Sequence, residues 1–128
     1  MPRPLKPTDA ELAILHVLWE HGASTVREVH DRMADSRAVG YTTTLKMLQV
    51  MTKKGLTVRE TVRNQHLYRA QLGQRETQRR LLRDLLDRAF GGSVSRLVVQ
   101  ALASNRASPE ELREIRRLLA ARTGEDHD

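Results

Sequence analysis

The 128-residue sequence contains no cysteine. That absence excludes disulfides, iron–sulfur clusters and thiolate sites for zinc or copper. It also suits a reducing cytoplasm, which is the expected location. Aromatic side chains number four, Trp19, Tyr41, Tyr68 and Phe90. A surface that stacks single-stranded nucleic acid needs several such platforms, so that class is set aside. No apolar run approaches the roughly 18–20 residues of a membrane span, and residues 1–7 lack the apolar core of an export signal. No membrane partner is expected.

Catalytic and metal signatures are equally sparse. His16, His21, His30, His66 and His127 are scattered, with no ligand-spaced pair backed by carboxylates. Ser24, Ser36, Ser93 and Ser108 stand at helix starts or breaks, where capping accounts for them. No glycine-rich phosphate loop occurs, because Gly91-Gly92 reads as a helix break. The sequence predicts no metal, no cofactor and no enzyme.

What the chain does have is apolar residues, 39% of the total, and a net charge of +6. The charge is unevenly placed. Between residues 36 and 73 stand seven basic residues, Arg37, Lys46, Lys53, Lys54, Arg59, Arg63 and Arg69, against the single acid Glu60. The flanks therefore cancel. A concentrated basic patch matches a phosphate-backbone footprint, although charge alone also fits a solvated surface.

Local patterns divide the chain into helices and one hairpin. Thr8 and Glu11 form a capping box after Pro7, followed by Leu12, Leu15, Leu18 and Trp19 at helical spacing up to Gly22. Thr25 and Glu28 form a second box, with Val26, Val29 and Met33 behind it. After a polar break at 35–40, a third helix starts near Thr42, with Leu45, Leu48 and Met51 inward. It stops at Lys53-Lys54-Gly55, cations at its negative end and glycine free to take a left-handed cap. Leu56 and Val58, then Leu67 and Tyr68, flank a turn at 63–65 and predict a hairpin. Helical spacing returns from about Arg75. Gly91-Gly92 breaks it, Ser93 caps the next helix, and Ser108-Pro109-Glu110-Glu111 starts the last. Residues 123–128 read as a frayed tail.

Three short helices and a hairpin describe a winged helix-turn-helix. The fold class is mainly α with a small β-hairpin, followed by a helical dimerisation segment. The third helix opens on small polar residues, Thr42, Thr43 and Thr44, which lets its start enter a major groove. Tyr41, Thr42, Thr43, Lys46, Met47 and Val50 are the candidates on its outer side. Threonine and methionine suit thymine methyls, and lysine suits guanine or phosphate. Thr42 taken alone reads first as a helix cap, and Met47 has an alternative place in the core. Lys53 and Lys54 at the helix end, with Arg59, Arg63 and His66 on the hairpin, complete the DNA-binding set.

The second half carries Leu81, Leu85, Val94, Leu97, Val98, Leu102, Leu112, Ile115 and Leu119. A segment this small cannot bury so many apolar residues alone, so pairing with a second chain is expected. The alternative is packing onto the first half. Expected boundaries are 1–73 for the DNA-binding domain and 74–128 for the dimerisation segment. A symmetric dimer would set two recognition helices about 34 Å apart, or a multiple, on a palindrome.

Several stretches in order resemble the penicillinase-repressor family (BlaI/MecI/CopY type). They are Thr8-Asp9-Ala10-Glu11-Leu12 to Trp19, Tyr41-Thr42-Thr43-Thr44-Leu45-Lys46-Met47-Leu48, Lys53-Lys54-Gly55-Leu56 and His66-Leu67-Tyr68-Arg69-Ala70. The run from Phe90 to Val98 and the helix start at 108–112 are similar to that family's dimerisation segment. The resemblance implies a repressor that binds double-stranded operator DNA as a homodimer, relieved in several members by a regulatory protease. The position of the scissile Asn-Phe bond in the β-lactam-responsive members looks like Gln100-Ala101 here, a departure from that route. The C-terminal cysteine cluster of copper-responsive members is missing. Two other readings remain open, a ligand-sensing winged-helix regulator and a winged helix used as a protein-interaction module.

Overall fold

Thr8 and Glu11 close the first helix reciprocally, as their spacing predicts. The Thr8 hydroxyl accepts from the Glu11 amide and the Glu11 carboxylate accepts from the Thr8 amide. In the computed structural model, which describes residues 6–33, 39–104 and 106–124, this box starts α1 (Asp9–His21). Thr25 and Glu28 repeat the arrangement at α2 (Val26–Arg32). Then come α3 (Tyr41–Lys54), β1 (Thr57–Val62), β2 (Gln65–Ala70), α4 (Gln74–Ala89), α5 (Val94–Ala103) and α6 (Pro109–Thr123). The chain divides into two compact units, Met1–Leu81 and Leu82–Asp128, with the division inside α4.

The first unit has a single apolar core. Ile14, Leu15 and Leu18 of α1 meet Val26 and Val29 of α2, Leu48 and Met51 of α3, Leu56, and Tyr68 of β2. Burying each such side chain contributes about 1.5–3 kcal/mol. The hairpin is antiparallel and pairs Thr57 with Ala70 through Val62 with Gln65. Ser24 adds an isolated bridge to Tyr68, exchanging backbone bonds of 2.9 and 2.8 Å. This bridge ties the α1–α2 turn to the hairpin and completes a winged-helix sheet.

Two side-chain links hold the hairpin's base. Thr52 lies 2.9 Å from the buried Thr57 hydroxyl, joining the end of α3 to the start of β1. Trp19 donates its indole N–H to the Leu72 carbonyl at 2.9 Å, fixing the chain where it leaves β2. Gly55 ends α3 at φ 85° and ψ 13°, a left-handed conformation that glycine adopts without a Cβ clash.

The second unit differs in kind. Ser93 caps α5 by accepting from the Arg96 amide, and Ser108 and Glu111 form a capping box at α6 with Pro109 at its first turn. Yet neither α5 nor α6 contains a buried residue. In α4 the buried residue is Thr77, which lies in the first unit. Most of the expected polar break between the second and third helices, the tail residues 125–128, and Arg37 and Ser36 lie outside the described residues.

Candidate nucleic-acid interface

The third helix starts one residue before its expected start, and its cap is not Thr42. Gly40 is the N-cap and provides no side-chain bond, its carbonyl instead receiving the amides of Thr43 and Thr44. Thr42 is thereby released from capping and stands exposed with Tyr41 and Thr43. Thr44 turns inward and is buried, its hydroxyl 3.1 Å from His30 Nδ1. Leu48 and Met51 are fully buried, while Leu45 and Met47 are half-buried against the core. Met47 therefore follows its alternative placement in part, because at 3.6 residues per turn it flanks Leu48 and Met51.

Lys46, Gln49, Val50 and Lys53 are exposed on the same helix. Helical spacing places Thr42, Lys46, Gln49 and Lys53 along one line, with Thr43 and Val50 beside it. Gln49 was missed in the sequence, although its spacing of three from Lys46 was signal enough. Arg27 was missed too. Its guanidinium sits over the Tyr41 ring, 4.6 Å from the centroid, and His30 approaches the same ring edge-on at 6.1 Å. Cation–π contact thus holds a positive charge of α2 beside the start of α3.

The hairpin turn is tight. Arg63 and Asn64 both have positive φ, 52° and 65°, as a type I′ connection requires. The turn is one residue shorter than the expected 63–65, because β1 ends at Val62 and β2 already begins at Gln65. In the register, Arg59 faces Tyr68 and Thr61 faces His66, so these four share a face. The His66 ring lies 3.2 Å from the Thr61 hydroxyl. Arg69, on the opposite face, is neutralised by Glu60.

Lys54 departs from expectation. Its ammonium lies 2.7 Å from Glu11, whose side chain is nearly buried, so it serves the fold rather than reaching outward. Burial pushes the Glu11 carboxyl upward, but bonds from Lys54 and Thr8 and the Lys54 charge outweigh it and leave the group below its ordinary value. Lys46, Lys53, Arg59 and Arg63 have no ion pair among the described residues. Four uncompensated cations on one helix and its adjoining hairpin form a surface suited to phosphates. The exposed large apolar side chains described in this unit are Tyr41, Val50 and Val62, all on α3 or at the hairpin tip.

In the helical segment, Leu81 and Leu97 are half-buried. Leu85, Val94, Val98, Leu102, Leu112, Ile115 and Leu119 are exposed. An open hollow between the end of α4 and the start of α5 is lined by Phe90, Arg96, Val99 and Gln100, among others. None of its lining side chains is buried. Gln100 and Ala101 are exposed within the α5 helix. Among the described residues no cluster of three or more metal-ligating side chains occurs, and no helix is long and apolar enough to cross a membrane.

Comparison with known proteins adds an independent line. The penicillinase repressor family matches residues 7–121. The transcriptional regulator BlaI of two Mycobacterium tuberculosis strains is 32% identical over 113 residues, covering 88% of this chain and 81% of the relative. Among solved structures, a MarR family protein from Bacillus stearothermophilus superposes with a TM-score of 0.52 at 22% identity, over 97% of this chain and 78% of that one. It shares the fold. A monomeric Bacillus licheniformis BlaI in complex with the blaP half-operator gives 0.49 at 23% identity, over 58% and 90%.

Proposed function

From the premise that the chain belongs to the penicillinase-repressor family, a family of transcriptional regulators and not of enzymes, we propose that it represses transcription by binding a palindromic DNA operator as a homodimer. The observation that carries this reading is the outer face of α3 with the hairpin tip. There Lys46, Lys53, Arg59 and Arg63 lack carboxylate partners among the described residues, while Lys54 and Arg69 at its margins are neutralised. Thr42 and Thr43 reach base edges from the start of the helix, and Lys46 reaches a guanine or a phosphate. Met47 contributes the part of its side chain left outside the core. Arg59, Arg63 and His66 hold the backbone or minor groove beside the hairpin. Arg27, braced on Tyr41, supplies a further phosphate contact.

The homodimer is supported by the lack of a core in α5 and α6. Amphipathic helices keep exposed leucines and valines only when something covers them. In this proposal residues 1–73 bind DNA and residues 74–128 pair the two copies.

The experiment is a mobility-shift titration of the full chain with DNA from its own promoter, run at several salt concentrations. A retarded complex is expected, with affinity falling steeply in salt as bound counterions leave the DNA. Lys46→Ala and Arg63→Ala should each reduce the logarithmic salt slope by about two, one contact from each copy of the dimer, and leave thermal stability unchanged. Absence of any complex at low salt would overturn operator binding. Unchanged affinity in both variants would overturn their roles.

A further inference from the structure

We infer that Gln49 and Val50 make this chain selective for A·T pairs at the centre of its reading helix, Gln49 by pairing with an adenine edge and Val50 by covering a thymine methyl. The inference rests on the operator-binding reading above and concerns which bases that helix prefers.

Gln49 is exposed on α3, and its carboxamide has no hydrogen-bond partner among the described residues. The group offers a carbonyl acceptor and an amide donor side by side. In the major groove, adenine presents the matching pair, an N6 donor beside an N7 acceptor. Guanine presents two acceptors, which would leave the glutamine carbonyl facing an acceptor. The side chain therefore discriminates by chemistry.

Val50 is the companion signal. It is 39% exposed, although the helix has a buried side occupied by Leu48 and Met51. Its neighbours on the outer face are Lys46, Gln49 and Lys53. A branched hydrocarbon among polar residues gains nothing from water, and the apolar feature of a major-groove edge is the thymine methyl. From Lys46 to Lys53 the helix rises about 10 Å, roughly three base-pair steps. Gln49 and Val50 thus occupy the middle of the window, and the two lysines bracket it.

The test selects binding sites for the full chain from a random double-stranded DNA pool, for wild type, Gln49→Ala and Val50→Ala. Wild type is expected to enrich a half-site with a fixed adenine. Gln49→Ala should lose about tenfold or more of the preference at that one position while the remaining positions persist. On the selected site, deoxyuridine in place of thymidine removes only the methyl group. It should weaken wild type about fourfold, the worth of one buried methyl, and leave Val50→Ala unaffected. Circular dichroism of both variants should match wild type, since both residues are exposed. If wild type enriches a motif and Gln49→Ala enriches the same motif at every position, the adenine assignment is overturned while operator binding stands. Equal deoxyuridine effects on wild type and Val50→Ala overturn the methyl contact. If wild type enriches no sequence, both readings fall together.

Discussion

Glu11 and Lys54 stand 43 residues apart in the chain and 2.7 Å apart in space. The carboxylate also accepts the Thr8 amide, so one group caps α1 and anchors the last turn of α3. The helix that presents Lys46 and Lys53 is thereby fixed at its C-terminal end to the start of the first helix. Gly55 follows directly in its left-handed cap. The ion pair sets where the outer face of α3 points.

Replacing Glu11 with alanine removes the cap acceptor and leaves the Lys54 charge without its partner. The expected cost is about 2 kcal/mol, read as a lower midpoint in urea denaturation with unchanged slope. Lys54→Ala should cost a comparable amount, since Thr8 still holds Oε1 but Oε2 of the nearly buried carboxylate loses its donor. DNA affinity at a temperature where both variants are folded should fall modestly through misplacement of α3. Wild-type stability in Glu11→Ala would show that the pair contributes nothing.

The same group gives the stability a pH dependence of known sign. The folded Glu11 carboxyl lies below its ordinary value, so the unfolded chain binds the proton more readily. Its contribution is present above the ordinary, unfolded glutamate pKa and is lost as pH falls through the lower folded value. Denaturation midpoints between pH 6 and 3 should drop more for wild type than for Glu11→Gln. Parallel curves would remove Glu11 from the acid transition.

The capping boxes at Thr8, Thr25 and Ser108 were legible in the sequence because each closes within three residues. The hairpin was legible from its change of period, and the basic patch from its isolation. What escaped was set by distant partners. Lys54 reads as an outward cation until Glu11 is placed against it. Thr44 reads as one of three small polar residues at the helix start until His30, fourteen residues earlier, takes its hydroxyl. Arg27 attracts no notice until Tyr41 lies beneath it. Thr42 lost its capping role because the backbone of Gly40 does that work. Local pattern sets the elements, and tertiary contact decides which polar residues remain available for a ligand.

Arg27 offers a way to separate charge from stacking. Arg27→Lys keeps the charge but loses the planar contact with Tyr41, and Tyr41→Leu removes the ring beneath it. Arg27→Ala should weaken DNA binding at low salt and reduce the logarithmic salt slope by about two, one phosphate contact from each copy of the dimer. Arg27→Lys should lie between alanine and wild type. An Arg27→Ala variant with wild-type affinity and salt slope would confine Arg27 to a structural contact.

At the hairpin tip, Arg63 holds φ at 52°, a conformation that costs a side chain about 1 kcal/mol relative to glycine. Arg63→Gly should therefore raise thermal stability by a few degrees while weakening DNA binding. Stability and function would move in opposite directions, the mark of a residue kept for contact rather than for the turn. A variant that loses stability, or one that keeps full affinity, would contradict this account.

Leu119 is 60% exposed on α6, a helix with no buried residue. On a free surface, leucine to glutamate changes stability by less than about 0.5 kcal/mol. At a homodimer interface the same change buries a charge against apolar neighbours and separates the copies. Sedimentation of wild type should give twice the chain's 14.6 kDa, with a melting temperature that rises with protein concentration. Leu119→Glu with Leu112→Glu should sediment as a monomer, lose that concentration dependence, and bind a palindrome no better than a single half-site. Wild type that sediments as a monomer at micromolar concentration would overturn the homodimer. A dimer that survives both substitutions would move the interface away from this face of α6.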